Sequence, residues 1–364
     1  MLSFVLLIRF QQKHARLLTK EVVKIKPAYA FANVMTSTPK AHGPHDALKN
    51  DFTSYAKLLQ RFSKNWSGYL DLQYRRVKYD INGFEDNPDL LITNNYDFFN
   101  PKLGLSYIHK EWSGYFSYSI ANKEPNRDDF EAGKDQQPKP EHLDDIELGI
   151  TRRSSKYNWG ATFYYMKYKD QLVLTGKIND VGAYTRTNIP DSYRTGIELQ
   201  GGIQATTWFK AAANLTLSRN KVRHFTEYID DYDNGGQKLN SYSSTDIALS
   251  PNTTSGATIS FFPTKNFEIS FLSKYVSKQY LDNTEDEERK LDPFYVQDAR
   301  VIYTFHKAFL TEANIMLQVN NIFNKRYEPS GYTYNYISSG ELVVNNYYFP
   351  MAGTNFMVAV NIKF

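Results

Sequence analysis

The chain has 364 residues, and 43 Lys and Arg against 39 Asp and Glu give it a small net charge of +4. No basic run accompanies a nucleic-acid-binding motif, so a nucleic-acid partner is not expected. There is no cysteine, which excludes disulfides, thiolate metal sites and cysteine nucleophiles.

No apolar stretch reaches the roughly 18 residues that a transmembrane helix needs. Aromatic residues nevertheless make up 15% of the chain, as 28 Tyr, 24 Phe and 4 Trp. Soluble all-β proteins can also be aromatic-rich, but aromatic girdles at both interfaces of a membrane barrel explain this excess more directly.

Thirteen segments alternate apolar and polar residues with the period of two that is typical of β-strands. In chain order they are 52–62, 66–81, 101–109, 112–121, 142–152, 158–169, 193–204, 208–219, 253–262, 267–277, 295–305, 312–323 and 353–364. Short turns alternate throughout with long polar connections. This alternation is typical of outer-membrane barrels, with the short turns in the periplasm and the long loops outside the cell.

The two faces of these segments differ in polarity. Leu70 and Leu72 alternate with Asp71 and Gln73, and the other segments follow similar patterns. A charge facing lipid costs about 2–4 kcal/mol at the bilayer midplane, so the charged face is expected to line a wet lumen.

The last strand carries an apolar row on one face. Its members are Phe356, Val358, Val360, Ile362 and Phe364. In a soluble edge strand such a row would be an aggregation hazard. We interpret it as a membrane-assembly signal, with outer-membrane lipid and the outer-membrane assembly machinery as partners.

A β-sandwich would show the same alternation. Its loops usually run about 2–6 residues, and structureless loops of 15 to 33 residues on one side fit it poorly. The sequence therefore predicts an all-β fold, a transmembrane antiparallel β-barrel represented by about 13 strands.

Several blocks resemble the TonB-dependent outer-membrane receptors. Residues 319–332 (Val-Asn-Asn-Ile-Phe-Asn-Lys-Arg-Tyr-Glu-Pro-Ser-Gly-Tyr) and 348–353 (Tyr-Phe-Pro-Met-Ala-Gly) resemble the C-terminal end of that family. Residues 117–125 and 193–199, the latter after 170–176, are similar to further blocks in the family's order. The residue pattern of these blocks resembles that of receptors from the Bacteroidota.

The resemblance implies a 22-stranded barrel filled by an N-terminal plug, with ligand bound outside and energy delivered by the TonB complex through a TonB box. The chain shows about 13 strands, no plug and no TonB box. We therefore expect residues 50–364 to be the C-terminal portion of a receptor barrel, and residues 1–49 to be an atypical segment outside it.

The function implied by the resemblance is energised uptake of a scarce nutrient at the bacterial outer membrane. A ferric siderophore or another iron complex is the expected small-molecule ligand, and the truncated form is not expected to transport alone. Two alternatives remain open: a complete, passive porin-like barrel, or a non-functional gene remnant.

No catalytic, cofactor-binding or metal-binding residues are predicted, because no nucleophile elbow or phosphate-binding loop is present. The acidic runs 230–233 and 285–288 lack the spacing of a calcium loop and are expected to be solvated. Arg127, Tyr184 and Arg186 are candidate contacts for an anionic, aromatic ligand, although for each one the sequence favours the role of an ordinary loop or interface residue.

Overall fold

The computed structural model describes residues 2–8, 31–37, 46–85, 87–133, 137–178, 184–307 and 310–363. Most of them lie in β-strands, numbered here in chain order. The strands are β1 (Leu2–Ile8), β2 (Phe31–Ser37), β3 (Asp46–Arg61), β4 (Trp66–Asn82), β5 (Leu91–His109), β6 (Trp112–Lys123), β7 (Glu141–Arg153), β8 (Tyr157–Lys169), β9 (Gln171–Ile178), β10 (Tyr184–Ile189), β11 (Asp191–Ile203), β12 (Phe209–Asp231), β13 (Gln237–Asp246), β14 (Thr253–Thr264), β15 (Phe267–Val276), β16 (Gln279–Tyr280), β17 (Lys290–Leu291), β18 (Phe294–Lys307), β19 (Leu310–Asn320), β20 (Ser330–Ser338), β21 (Glu341–Phe349) and β22 (Asn355–Lys363). A short 3₁₀ helix, Arg127–Ala132, follows β6. Across the described ranges, no helix has the length and apolar character needed to span a membrane.

One antiparallel meander forms the main wall. Each strand pairs with the next in the order β3, β4, β5, β6, β7, β8, β11, β12, β14, β15, β18, β19, β22. The prediction of about 13 antiparallel strands is thereby confirmed. β1 and β2 pair with the other edge of β3, and among the described strands β22 pairs in register with β19 alone. The wall is therefore open within the described residues, as expected of a partial barrel. The boundary at residue 49 stays a prediction.

One face of the wall is apolar and exposed, and the other carries the charges. On β22 the exposed fractions are 78% for Phe356, 61% for Val358, 58% for Val360 and 54% for Ile362. Phe364 lies outside the described residues. Exposing a continuous apolar row of this kind to water is unfavourable, whereas contact with lipid acyl chains is favourable.

The opposite face carries ion pairs between neighbouring strands. Lys57 Nζ lies 4.0 Å from Asp71 Oδ2, and Arg300 Nη2 lies 3.6 Å from Glu268 Oε1. These side chains are partly shielded from solvent. This arrangement suits the predicted wet lumen, because charges there keep both partners and water.

All four tryptophans stand at the short-turn ends of their strands. Trp66 and Trp112 begin β4 and β6, Trp159 is third in β8, and Trp208 immediately precedes β12. Trp112 and Trp159 pack edge to face with ring centroids 5.6 Å apart. Tyr74 is the next exposed aromatic residue on the same face of β4 as Trp66. The eight residue steps between them, at about 3.3 Å each and a strand tilt of ~40°, span roughly 20 Å along the membrane normal. This is close to the height of an apolar membrane band, so the tryptophans form one interfacial girdle.

Tyrosine rings lie over glycines of neighbouring strands on the inner face. A Cβ added to Gly149 would come within 2.1 Å of the Tyr115 ring, and one added to Gly104 within 2.3 Å of Tyr69. Tyr115 pairs directly with Gly149 across β6 and β7. The absence of a side chain at each glycine therefore lets a large ring lie flat against the wall.

Three long connections are hairpins, and the prediction of irregular polar loops was wrong for them. The hairpins are β9–β10, the upper part of β12 with β13, and β20–β21. Gly235 and Gly236 have φ of 77° and 78°, and Ser339 and Gly340 have φ of 57° and 78°. Ser339 and Gly340 form a two-residue hairpin turn, which needs this left-handed backbone, whereas Gly235 and Gly236 close the longer turn 232–236. The overlooked signals were the Gly-Gly and Ser-Gly dipeptides between segments rich in Tyr, Thr and Val.

Candidate functional site

An apolar cluster stabilises the long-connection end of the wall beside β4 and β5. Val77, Ile81, Phe84 and Phe130 are at most 3% exposed and pack in one cluster. Phe130 belongs to the 3₁₀ helix, which is thereby held against the β4–β5 hairpin. The helix is a fixed part of this end of the molecule.

Two of the candidate ligand contacts are anchored by the 3₁₀ helix. Arg186 on β10 donates two hydrogen bonds to the buried carboxylate of Asp129, Nε to Oδ1 at 2.6 Å and Nη2 to Oδ2 at 2.5 Å. These hydrogen bonds to Asp129 raise the pKa of Arg186. Arg127 donates from Nη2 to the Gly83 carbonyl at 3.3 Å, and its guanidinium lies 4.7 Å from the Phe84 ring centroid. Both guanidinium groups therefore already have partners.

The third candidate, Tyr184, joins a different group of residues. Its hydroxyl donates to Asp230 Oδ2 at 2.5 Å, and its ring meets Tyr334 edge to face with centroids 6.0 Å apart. Burial, followed by the hydrogen bond to Asp230, raises the pKa of Tyr184 well above its ordinary value. The roles of Arg127, Tyr184 and Arg186 as ligand contacts stay predictions.

Four tyrosines and one aspartate form what we call the tyrosine cluster: Tyr184, Asp230, Tyr232, Tyr334 and Tyr336. The hydroxyls of Tyr232 and Tyr334 share a hydrogen bond of 2.6 Å. The rings of Tyr232 and Tyr336 are 5.2 Å apart, and those of Tyr334 and Tyr336 are 5.6 Å apart. Sequence reasoning singled out only Tyr184, because the others lie about 50 and 150 positions away in hairpins that were predicted as loops.

A buried arginine joins the loop between β15 and β18 to the β12–β13 hairpin. The Arg289 side chain is 2% exposed, and its Nη1 donates to Glu227 Oε1 at 2.5 Å and to Asp282 Oδ2 at 3.0 Å. Tyr242 also donates to Glu227, at 3.0 Å. Burial opposes the charge on Arg289, but Glu227 and Asp282 raise its pKa above the ordinary value.

The acidic run 285–288 divides between ion pairs and solvent. Glu285 accepts a hydrogen bond from Lys221 at 2.8 Å. Glu287 is exposed and accepts from Lys278 and Lys290. These hydrogen bonds, Lys278 first, lower the pKa of Glu287 to about 2. The signal missed in the sequence was Arg289, the cation that closes the run.

Within the parts of the chain that the structure describes, no group of three or more His, Asp or Glu side chains is arranged to hold a metal ion. The tyrosine cluster instead brings together several phenol oxygens and the Asp230 carboxylate.

The barrel wall of the chain matches a known protein family. Residues 26–322 match the family model of the TonB-dependent receptor-like β-barrel. The chain belongs to this family. Its members are receptors of the bacterial outer membrane, so the long-connection end is extracellular and the tryptophan girdle is periplasmic.

Solved structures of related barrels share the fold. The siderophore receptor PiuA from Acinetobacter baumannii matches with a TM-score of 0.68 and 17% identity over 88% of this chain and 44% of that one. The copper transporter OprC gives 0.66 and 16% over 88% and 48%. The FrpB iron transporter from Neisseria meningitidis gives 0.62 and 19% over 88% and 46%.

The chain spans less than half the length of these structures. No curated protein sequence matches the chain.

Proposed function

We propose that the chain is the C-terminal barrel portion of a receptor for energised uptake of a scarce metal complex, with a ferric siderophore or another iron complex as the ligand. The observation that carries the proposal is the family match over residues 26–322 on a wall with a lipid-facing apolar side and a charged inner side. The names of the structural neighbours, which include a siderophore receptor, an iron transporter and a copper transporter, support a metal ligand.

We propose further that this portion does not transport by itself. Among the described residues, β22 pairs in register with β19 only, and its outer edge has no partner strand. Unpaired backbone groups in hydrocarbon each cost several kcal/mol, so the wall needs further strands to close. In the full-length family, the TonB complex acts on a plug, and a closed barrel of that kind is what this portion would complete.

The test compares the chain alone with a hybrid receptor. In the hybrid, residues 46–363 replace the corresponding strands of PiuA, which contributes its plug and its first strands. Both are expressed behind a working signal peptide in a strain without its own iron receptors, and uptake of radiolabelled ferric chelates is measured with and without a protonophore.

We expect the hybrid to form a heat-modifiable barrel with protonophore-sensitive uptake, and the chain alone to show neither. Energised uptake by the chain alone would contradict the proposal that it needs a partner portion. Passive, non-selective conductance by the chain alone would favour a porin. A correctly assembled hybrid that takes up no metal complex would contradict the receptor function.

A further inference from the structure

The tyrosine cluster lies where three extracellular hairpins meet. β9–β10 contributes Tyr184, β12–β13 contributes Asp230 and Tyr232, and β20–β21 contributes Tyr334. The hairpins are separated by roughly 50 and 100 residues of chain, so the fold alone brings their side chains together.

Backbone contacts fix two of these hairpins against each other. Asp230 and Asp231 pair in parallel with Tyr336 and Ile337. The Asp233 carboxylate accepts hydrogen bonds from the backbone N–H groups of the β20–β21 turn at 2.7 and 2.8 Å. The cluster therefore sits on paired backbone and not on a free loop tip.

Four oxygens of the cluster form two hydrogen-bonded pairs on neighbouring rings. Asp230 Oδ2 is 2.5 Å from the Tyr184 hydroxyl, the Tyr334 and Tyr232 hydroxyls are 2.6 Å apart, and the Tyr184 and Tyr334 rings that connect the two pairs have centroids 6.0 Å apart. Gln237 donates to the other carboxylate oxygen of Asp230 at 2.8 Å and so orients it. In an octahedral site with bonds of about 2.0 Å, adjacent oxygens are roughly 2.8 Å apart, close to these separations.

We propose that Tyr184, Asp230, Tyr232 and Tyr334 form an extracellular binding site for ferric iron, with three phenol oxygens and one carboxylate oxygen as ligands. Oxygen donors of this kind suit hard cations. Each phenol that binds exchanges its O–H bond for an iron–oxygen bond and releases its proton to water, and the iron stays trivalent. A trivalent cation is a strong enough Lewis acid to displace phenol protons, whereas Mg²⁺ and Ca²⁺ prefer carboxylate, carbonyl and water oxygens.

The site is open to a ligand arriving from outside. Tyr184 is 47% exposed and Tyr232 is 63% exposed. Iron held by a weak carrier such as citrate could therefore be transferred to the cluster. The proposal deepens the receptor function by naming a direct ligand set, and its extracellular placement rests on that function.

A simpler role for the same hydrogen bonds is to tie the hairpins together, and substitution by phenylalanine separates the two roles. The variant Tyr232→Phe with Tyr334→Phe keeps both rings and removes two oxygens. Tyr332→Phe is the matched control, because Tyr332 lies on the same strand, is 51% exposed and stacks on Tyr347 instead.

The experiment titrates the full chain in detergent micelles, and the hybrid receptor in parallel, with ferric citrate as the probe. We expect the visible charge-transfer band of iron bound to phenolate at one iron per chain, unchanged by Tyr332→Phe. The double variant should bind at least about tenfold more weakly, since loss of even an outer-shell partner costs 10–100-fold. Circular dichroism verifies that each variant is folded.

Absence of the band in the wild-type chain and hybrid, or an equal band in the double variant, would overturn the site. A second arm uses a ferric hydroxamate chelate. Tight binding of the intact chelate that is insensitive to the double substitution, with no transfer from citrate, would also overturn it. A hybrid that transports iron without the band leaves the receptor function standing. A band in a hybrid that does not transport leaves the site standing.

Discussion

Replacing Arg289 by methionine tests whether one buried cation holds the loop between β15 and β18 against the β12–β13 hairpin. The substitution keeps an unbranched side chain of similar length and removes the charge. It leaves the carboxylates of Glu227 and Asp282, which are 7% and 21% exposed, without their cation. Breaking a buried ion pair in this way costs about 3–5 kcal/mol.

The loss should be local. Arg289 contacts the part of β12 that pairs with β13 and the loop between β15 and β18, and not the part of β12 that pairs with β14 in the wall, so the wall should keep its heat-modifiable mobility. We expect amide hydrogen exchange in β13, β16 and β17 to speed up by an amount that corresponds to those few kcal/mol, while exchange in β6 and β7 is unchanged.

A matched control is Arg223→Met. Arg223 is 50% exposed and pairs with Asp191 at 3.1 Å, and an exposed pair contributes about 0–1 kcal/mol. Adding Glu227→Gln to Arg289→Met should recover part of the loss, because one uncompensated charge is removed. Equal exchange rates in the Arg289 and Arg223 variants would refute the reasoning.

Three further predictions concern other regions. The lowered folded-state pKa of Glu287 means that its contribution is complete above pH 4.5 and is lost as pH falls from 4.5 to about 2; hydrogen exchange of β16–β17 should accelerate over that window, and Glu287→Gln should remove that part of the pH dependence. Gly149→Val should clash with the Tyr115 ring, cost about 1–3 kcal/mol and reduce the heat-modifiable fraction on gels, and Tyr115→Ala in the same chain should restore it; no rescue would contradict the ring-over-glycine packing. Val358→Arg in the hybrid should reduce its yield in the outer membrane, because a charge facing lipid costs about 2–4 kcal/mol near the midplane, whereas Asn361→Arg on the other face should assemble normally; equal yields would contradict the assignment of the two faces.

The wall was predictable from sequence because its period of two is imposed by lipid. Every second residue of a membrane strand must be apolar whatever its neighbours are. The apolar residues Phe356, Val358 and Val360 therefore identify the lipid-facing side of β22 without tertiary information. The short turns add a second local signal. Both signals can be recognised in a single sequence without an alignment.

The extracellular end was less predictable because its order comes from contacts between distant segments. The hydrogen bond between Tyr232 and Tyr334 joins residues about 100 positions apart. The hydrogen bond from Arg289 to Glu227 joins residues that are 62 positions apart. Charge and polarity made these segments look solvated, and only the hairpin turns at Gly235–Gly236 and Ser339–Gly340 offered a local signal.

Polar contacts and apolar packing have different consequences at this end of the receptor. The small apolar core around Phe130 holds the 3₁₀ helix through close packing that excludes solvent. The three outer hairpins are also joined by backbone pairing and by a small apolar cluster of Ile189, Val222, Phe225 and Ile247. The oxygens of the tyrosine cluster differ from these contacts because they can exchange a proton or a protein partner for a ligand. If iron takes the oxygens of the tyrosine cluster, the bonds that hold Tyr184, Tyr232 and Tyr334 together become bonds to the metal. The same oxygen atoms would then bind the ligand and hold the hairpins together. A ligand that binds elsewhere in the lumen would leave those hydrogen bonds intact.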